Sequence, residues 1–217
     1  EFPAHTPTKF YLHSDGSAST ITPSGETTES TGYVYDPTDP VPTVGGNNLD
    51  MPCGPLDQAE IDKRSDVLVF ETEALIEALP LTGPLSATLY VSSDAIDTDF
   101  MARLIQDSAI RMRWREGGLT PVYMEAGEVY EVHGNLWNTS YVLAPGHKLR
   151  LVVTSSPFIT ANNVLYHSER YPSHFTLPVV AMSKLPELHD IKGQFNRAFP
   201  RLDADEVLRG KSCVAVM

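Results

Sequence analysis

An antiparallel β-sandwich is the fold class this sequence predicts, and three observations predict it. Short runs of apolar and polar residues alternate with period two, the mark of half-buried strands. Seventeen Pro and fourteen Gly fall largely between those runs, where turns are needed. Only near the end do apolar residues recur at helical spacing over more than two turns. With 217 residues, 41% of them hydrophobic, a core of one domain is readily filled.

Taken in order, Lys9 to His13 is a short strand and Tyr33 to Tyr35 a brief pairing segment. Residues 36–58 hold five prolines and three glycines, so the expectation is a long loop laid over another surface. Asp66 to Thr72 (DVLVFET) is nearly continuous in apolar character, as a strand buried on both faces would be. Glu73 to Leu79 favours helix but is too short to stand alone, so a single turn or bent linker is expected.

The clearest strand follows Gly83-Pro84, which is read as its start. Ala87, Leu89 and Val91 fall on one side, with Thr88, Tyr90 and Ser92 on the other. An acidic bend with Asp94, Asp97 and Asp99 leads to a second strand through Phe100, Ala102 and Leu104, forming a corner or hairpin. In Ile110 to Trp114, the alternation sets Ile110, Met112 and Trp114 on one side and Arg111 and Arg113, solvated or ion-paired, on the other. Glu128 to Trp137 turns Tyr130, Val132 and Leu136 inward, and Lys148 to Ser156 does the same with Leu149, Leu151 and Val153. The last strand is Phe175 to Val180, with Pro178 at an edge or bulge. Beyond it, Leu188, Ile191, Phe195 and Phe199 predict an amphipathic helix over 186–199, and Asp203 with Glu206 a capping pair ahead of Gly210. The apolar face of that helix packs on the sandwich or docks on another chain or domain.

The formal net charge of −12, without a Lys/Arg stripe, argues against nucleic acid and anionic membrane as partners. Cys53 and Cys213 make no disulfide framework and no C-x-x-C metal pair. No run approaches the ~20 apolar residues of a membrane-spanning helix. The chain starts at Glu1, without a signal pattern, as a fragment or processed form would, which leaves cytoplasmic and secreted locations both open.

The search for chemistry returns little. There is no G-x-S-x-G elbow for a serine nucleophile, no H-E-x-x-H pair and no phosphate-binding glycine loop. His167 and His174 stand near serines in YHSERYPSH, but a triad needs geometry that sequence neighbours do not supply. Asp94, Asp97 and Asp99 lack the spacing of a calcium loop and suit turn formation. Asn138-Thr139-Ser140 satisfies the glycosylation sequon. No catalytic residue, metal site or cofactor is assigned.

The blocks YVYDPTDPVPTVGG, RSDVLVFET, LTGPLSATLYVSSDAIDTDF, RMRWREG, GEVYEVHGNLWNTSYVLAPGHKLRLVVTSS and YHSERYPSHFTLPVV come in an order that resembles the C-terminal domain of X-Pro dipeptidyl-peptidase and cocaine-esterase-like (CocE/NonD) serine hydrolases. The resemblance spans about residues 10 to 180. It implies a jelly-roll β-sandwich, similar to galactose-binding domains, over residues 1–182, with 183–217 as a helical extension. It also implies an accessory role beside an α/β-hydrolase catalytic domain, which carries the whole catalytic triad. The sandwich would stabilise that domain, help shape its cleft and contribute to oligomer contacts.

The expected interdomain contacts are Asp97, Asp99, Trp114, Tyr166, His167, Tyr171 and His174, with the Pro-rich loop at 36–58 and the YHSERYPSH segment as the surfaces. A self-sufficient carbohydrate- or ligand-binding module, using Trp114 or Trp137, is the alternative; a concave patch of exposed aromatics would distinguish it. The chain departs from the family at two junctions, 104/105 and 158/159, where longer loops are usual. Trimmed loops or breaks in the chain are expected there.

Overall fold

The computed structural model describes residues 3–24, 29–45, 56–104, 107–156 and 159–185. The expected helix at 186–199, the capping pair, both cysteines and residues 46–55 of the Pro-rich loop lie outside them, and the junctions at 104/105 and 158/159 run into residues outside them.

Eleven strands form among the described residues: β1 (Thr6–Leu12), β2 (Ala18–Ser19), β3 (Ser30–Tyr35), β4 (Leu68–Glu71), β5 (Leu79–Ser93), β6 (Asp99–Arg103), β7 (Asp107–Arg111), β8 (Tyr130–Leu143), β9 (Arg150–Thr154), β10 (Ala161–Tyr166) and β11 (His174–Val179). They build two antiparallel sheets. The larger runs β2-β1-β11-β5-β10-β3, with β8 on the other side of β5; the smaller runs β4-β9-β6-β7. The all-β sandwich expectation holds.

The core lies between the sheets. Leu12, Leu81, Leu85, Leu89, Val91 and Phe175 of the larger sheet are buried with Phe70, Phe100, Leu151 and Val153 of the smaller one. Ala87, Leu89 and Val91 point inward as their alternation predicts, at 1%, 0% and 0% exposure. Burying side chains of this size supplies about 1.5–3 kcal/mol each before chain entropy is deducted. The acidic bend after β5 is a corner, because β6 belongs to the opposite sheet.

Three expectations are corrected. First, β5 starts at Leu79, so Gly83-Pro84 lies inside the strand. Proline is tolerated there because the register with β8 shifts between Pro84 and Ser86 and no β11 residue pairs with residues 82–85. Gly83 has φ 137°, and a Cβ there would come within 3.0 Å of Pro178 Cβ, so a close approach requires glycine. Second, the strand expected over 66–72 is only four residues long and lies at a sheet edge, although both of its faces are covered. Third, β7 ends at Arg111 and a single 3-10 turn takes Met112–Trp114, which breaks the alternation and leaves Trp114 44% exposed. Pro178 lies in β11, between β1 and β5, where the β11–β5 register shifts; of the two expected positions it takes the bulge.

Candidate docking surface

The outer faces of the two sheets are finished differently. On the smaller sheet, Val69 of β4 and Val152 of β9 are cross-strand partners pointing away from the core. They pack with Ile61, Val67, Val41 and Val44 in a second apolar cluster, so the described parts of the Pro-rich region cover this face. Gln58 fastens the cover: its Nε2 donates to Val44 O at 2.7 Å, and its Oε1 accepts from Arg103 Nη1 at 2.5 Å. Arg64 adds a pair with Asp66, Nε to Oδ1 at 2.8 Å, and donates to Asp39 O at 2.7 Å.

The larger sheet has no such cover among the described residues. Register sets Tyr11, His174, Thr88 and His133 in one row across β1, β11, β5 and β8. The next row on the same face is Tyr166, Tyr90 and Glu131, from β10, β5 and β8. Tyr171, on the connection from β10 to β11, lies against both tyrosines of that row, with ring centroids 5.7 Å from Tyr90 and 5.4 Å from Tyr166. Arg170 stands over the Tyr171 ring at 5.1 Å. Tyr11, Tyr90, Tyr166 and Tyr171 are half-buried, while His133, Glu131 and Arg170 are exposed. Burial and the neighbouring Glu131 carboxylate raise the Tyr90 hydroxyl above its ordinary pKa. The result is a face of aromatic bodies and polar tips, the composition enriched where proteins meet.

The seven nominated residues divide into three groups. Tyr166, Tyr171 and His174 come together on this face. His174, nearly covered by its neighbours, packs against Tyr11 at 5.3 Å and donates from Nδ1 to Pro172 O at 2.8 Å. His167 lies inside the sandwich at 0% exposure, edge-on to Phe70, with Nε2 3.4 Å from Thr31 Oγ1. Burial pushes both histidines below the ordinary value of 6.5.

Asp97, Asp99 and Trp114 form the third group, at the β5–β6 corner. Asp99 is buried and pairs with Arg111, whose Nη2 donates to Oδ2 at 2.7 Å. Asp97 accepts from the Arg113 backbone N–H at 3.0 Å and from its Nε at 2.7 Å. Asp94 accepts the Asn162 N–H at 2.8 Å. The corner carboxylates thus serve turns and ion pairs, and Arg111 and Arg113 are ion-paired as expected. The recess beside them, about 260 Å³, is bordered by Ile96, Tyr123 and Ile159 and is smaller than the ~300–1,000 Å³ usual for a small-molecule site.

Trp114 and Trp137 do not share a concave patch. Arg115, next to Trp114, stacks at 4.5 Å on Tyr130 at the start of β8, whereas Trp137 lies seven residues further along that strand. At ~3.3 Å per residue that places Trp137 ~23 Å along β8 from Tyr130. The serine hydroxyl most suggestively placed is Ser19 Oγ, 2.9 Å from His13 Nε2; among the described residues no carboxylate hydrogen-bonds that ring, and Asp15 Oδ1 accepts from Ser17 N–H instead. That arrangement does not make a triad.

Sequence reading missed Tyr11, Thr88, Tyr90, Glu131 and His133 as members of the face. The polar side of the β5 alternation carries a signal, since a tyrosine among its outward positions is amphipathic, with a ring to bury and a hydroxyl that takes water. Their partners come from strands distant in sequence.

The model of the X-Pro dipeptidyl-peptidase C-terminal non-catalytic domain matches residues 1–178. The chain belongs to this family. Cocaine esterase of Rhodococcus sp. (strain MB1 Bresler) is 38% identical over 82% of the chain. The chain spans 38% of that relative's length. The alignment is 218 residues long, more than the matched part of this chain, so the relative carries segments absent here. An aminopeptidase from a marine sediment archaeon (Thaumarchaeota archaeon) has a similar fold, with TM-score 0.73 at 21% identity over 81% of this chain and 37% of that one. So does an α-amino acid ester hydrolase, with TM-score 0.73 at 24% identity over 81% of this chain and 36% of that one. The family is by description non-catalytic, and the accessory-domain reading stands; nothing found supports the carbohydrate-binding alternative.

Proposed function

We propose that this chain is the accessory β-sandwich of a serine hydrolase acting on ester, amide or X-Pro peptide bonds, and that it binds the catalytic α/β-hydrolase domain through the outer face of its larger sheet. The single observation that carries the choice of face is the asymmetry of cover. The apolar residues behind the smaller sheet are satisfied within the chain, while Tyr11, Tyr90, Tyr166 and Tyr171 remain half-exposed on the larger one. Docking would bury these rings at little entropic cost, since each tyrosine has few rotatable bonds and two of them already brace Tyr171. The segment 166–174 is then the contact surface, and the described parts of the Pro-rich loop act as internal cover.

In this role the domain performs no bond cleavage. It positions the catalytic domain, excludes water from the joint and forms part of the cleft wall. The test has two arms. The purified chain is assayed on a small ester and on an Ala-Pro amide, with a fluorophosphonate probe for reactive serine; neither turnover nor labelling is expected. It is then titrated into the catalytic region expressed from the same reading frame, where a complex and a raised Tm are expected. Stoichiometric labelling of a serine in the chain would overturn the reading.

A further inference from the structure

Within the docking face lies a histidine with one ring nitrogen used and the other left over. His174 of β11 stands between Tyr11 of β1 and Thr88 of β5, in the row that ends at His133 of β8. Its Nδ1 is 2.8 Å from Pro172 O. A carbonyl only accepts, so the neutral ring holds its proton on Nδ1 and keeps a lone pair on Nε2. Among the described residues no donor reaches that lone pair, although the residue is only 6% exposed. Neighbouring polar groups are matched within the face. Thr88 Oγ1 meets His133 Nδ1 at 3.2 Å, and His133 Nε2 lies 3.4 Å from Glu131 Oε1. Glu131 also holds the Tyr90 hydroxyl, and Tyr166 OH is 3.1 Å from Ser92 Oγ.

We propose that His174 anchors this joint: Nε2 accepts a hydrogen bond from an N–H or O–H of the catalytic domain, and the joint opens when a proton takes that lone pair. The proposal rests on the docking reading above. A partner laid over the face seals Nε2 from water. An acceptor sealed without a donor opposes docking, so the partner surface has to supply one. Protonation reverses the requirement, because Nε2 becomes a donor on a cation set against the partner's own donor. The groups that face His174 give that cation little relief. Lys9 of β1 repels it, β5 brings only the hydroxyls of Thr88 and Tyr90, and Glu131 of β8 is shared between His133 and Tyr90. Burial already holds the ring below the ordinary 6.5, with Lys9 and His133 acting the same way against the Pro172 carbonyl and Glu131. Docking deepens that burial, so the bound state takes the proton less readily than the free one. Association therefore weakens as pH falls through the free chain's value.

The experiment measures binding of the full chain to the catalytic region by calorimetry, from pH 8 to about one unit below the His174 pKa. Imidazole NMR of the free chain supplies that pKa, and far-UV spectra confirm the fold at each pH. Kd should be level at high pH and rise about tenfold by the last point, the slope of one proton released on docking. The same NMR spectra should show Nδ1–H with Nε2 unprotonated. His174→Phe keeps a ring against Tyr11 and should weaken binding at pH 8 about tenfold. His174→Gln, whose Oε1 accepts in place of Nε2, should recover most of that loss and bind without the acid dependence. Both variants lose the Pro172 contact, so the difference between them reports the acceptor. A level parent profile, an acid loss that survives in His174→Gln, or a ring protonated on Nε2 alone at pH 8 would overturn the proposal and leave the docking reading standing. Failure to form any complex at pH 8 would overturn both.

Discussion

The two outer sheet faces are built from the same strand geometry and finished in opposite ways. Behind β4 and β9, valines point outward and the chain supplies its own lid through Ile61, Val67, Val41 and Val44. Across β1, β11, β5, β8 and β10, tyrosines and histidines point outward, and Tyr171 of the β10–β11 connection lies against two of the tyrosines, which stay half-buried. The difference teaches that an outward face announces its intended neighbour by its chemistry. Aliphatic residues demand permanent cover, whereas tyrosine tolerates water until a partner arrives.

That contrast can be broken at four points. The largest effect is expected under the lid, where Ile61→Ala should cost about 2–4 kcal/mol in urea unfolding because a side chain at 2% exposure leaves a cavity. Next comes acid. His167 and His174 have folded pKa values below the ordinary 6.5, so the unfolded chain binds protons more readily. Their contribution is fully present above pH ~6.5 and is lost as pH falls from there through the lowered folded values, giving a urea midpoint that drops on the acid side. His167→Gln should flatten that drop, and an unaltered pH profile would contradict the buried neutral imidazole.

Gln58→Ala removes the fastening between Val44 and Arg103 and should cost about 1 kcal/mol, measured the same way. Smallest in stability is Tyr171→Ala on the open face, at well under ~1 kcal/mol. The same substitution should weaken binding of the catalytic region by tenfold or more, since stacked tyrosines at the centre of an interface carry its affinity. A Tyr171→Ala variant that unfolds the chain but binds normally would reverse the assignment of the two faces.

Much of this was legible in the sequence, and the limits have physical causes. The period-two runs identified β5, β8 and β9 with their inward residues, because alternation is local. The alternation expected over 110–114 stops at Arg111, because a single 3-10 turn takes Met112–Trp114. Gly83-Pro84 reads as a strand start because proline normally opens a strand. The coincident register shifts that make it harmless at residue 84 involve β8 and β11, which lie far away in sequence. The ion pairs of Asp99 with Arg111 and of Asp97 with Arg113 are invisible to local pattern, because they form only when β7 and the turn after it return to the corner. Which face stays open was beyond reach for the same reason, as it depends on residues 41–67 folding onto Val69 and Val152.

Hydroxyl-radical footprinting of the chain, free and bound to the catalytic region, tests the central claim most directly. Tyr11, Tyr90, Tyr166, Tyr171 and His133 should be oxidised in the free chain and protected in the complex, with Trp114 and Tyr123 at the corner oxidised equally in both. Protection at the corner with the tyrosine face still reactive would contradict the account.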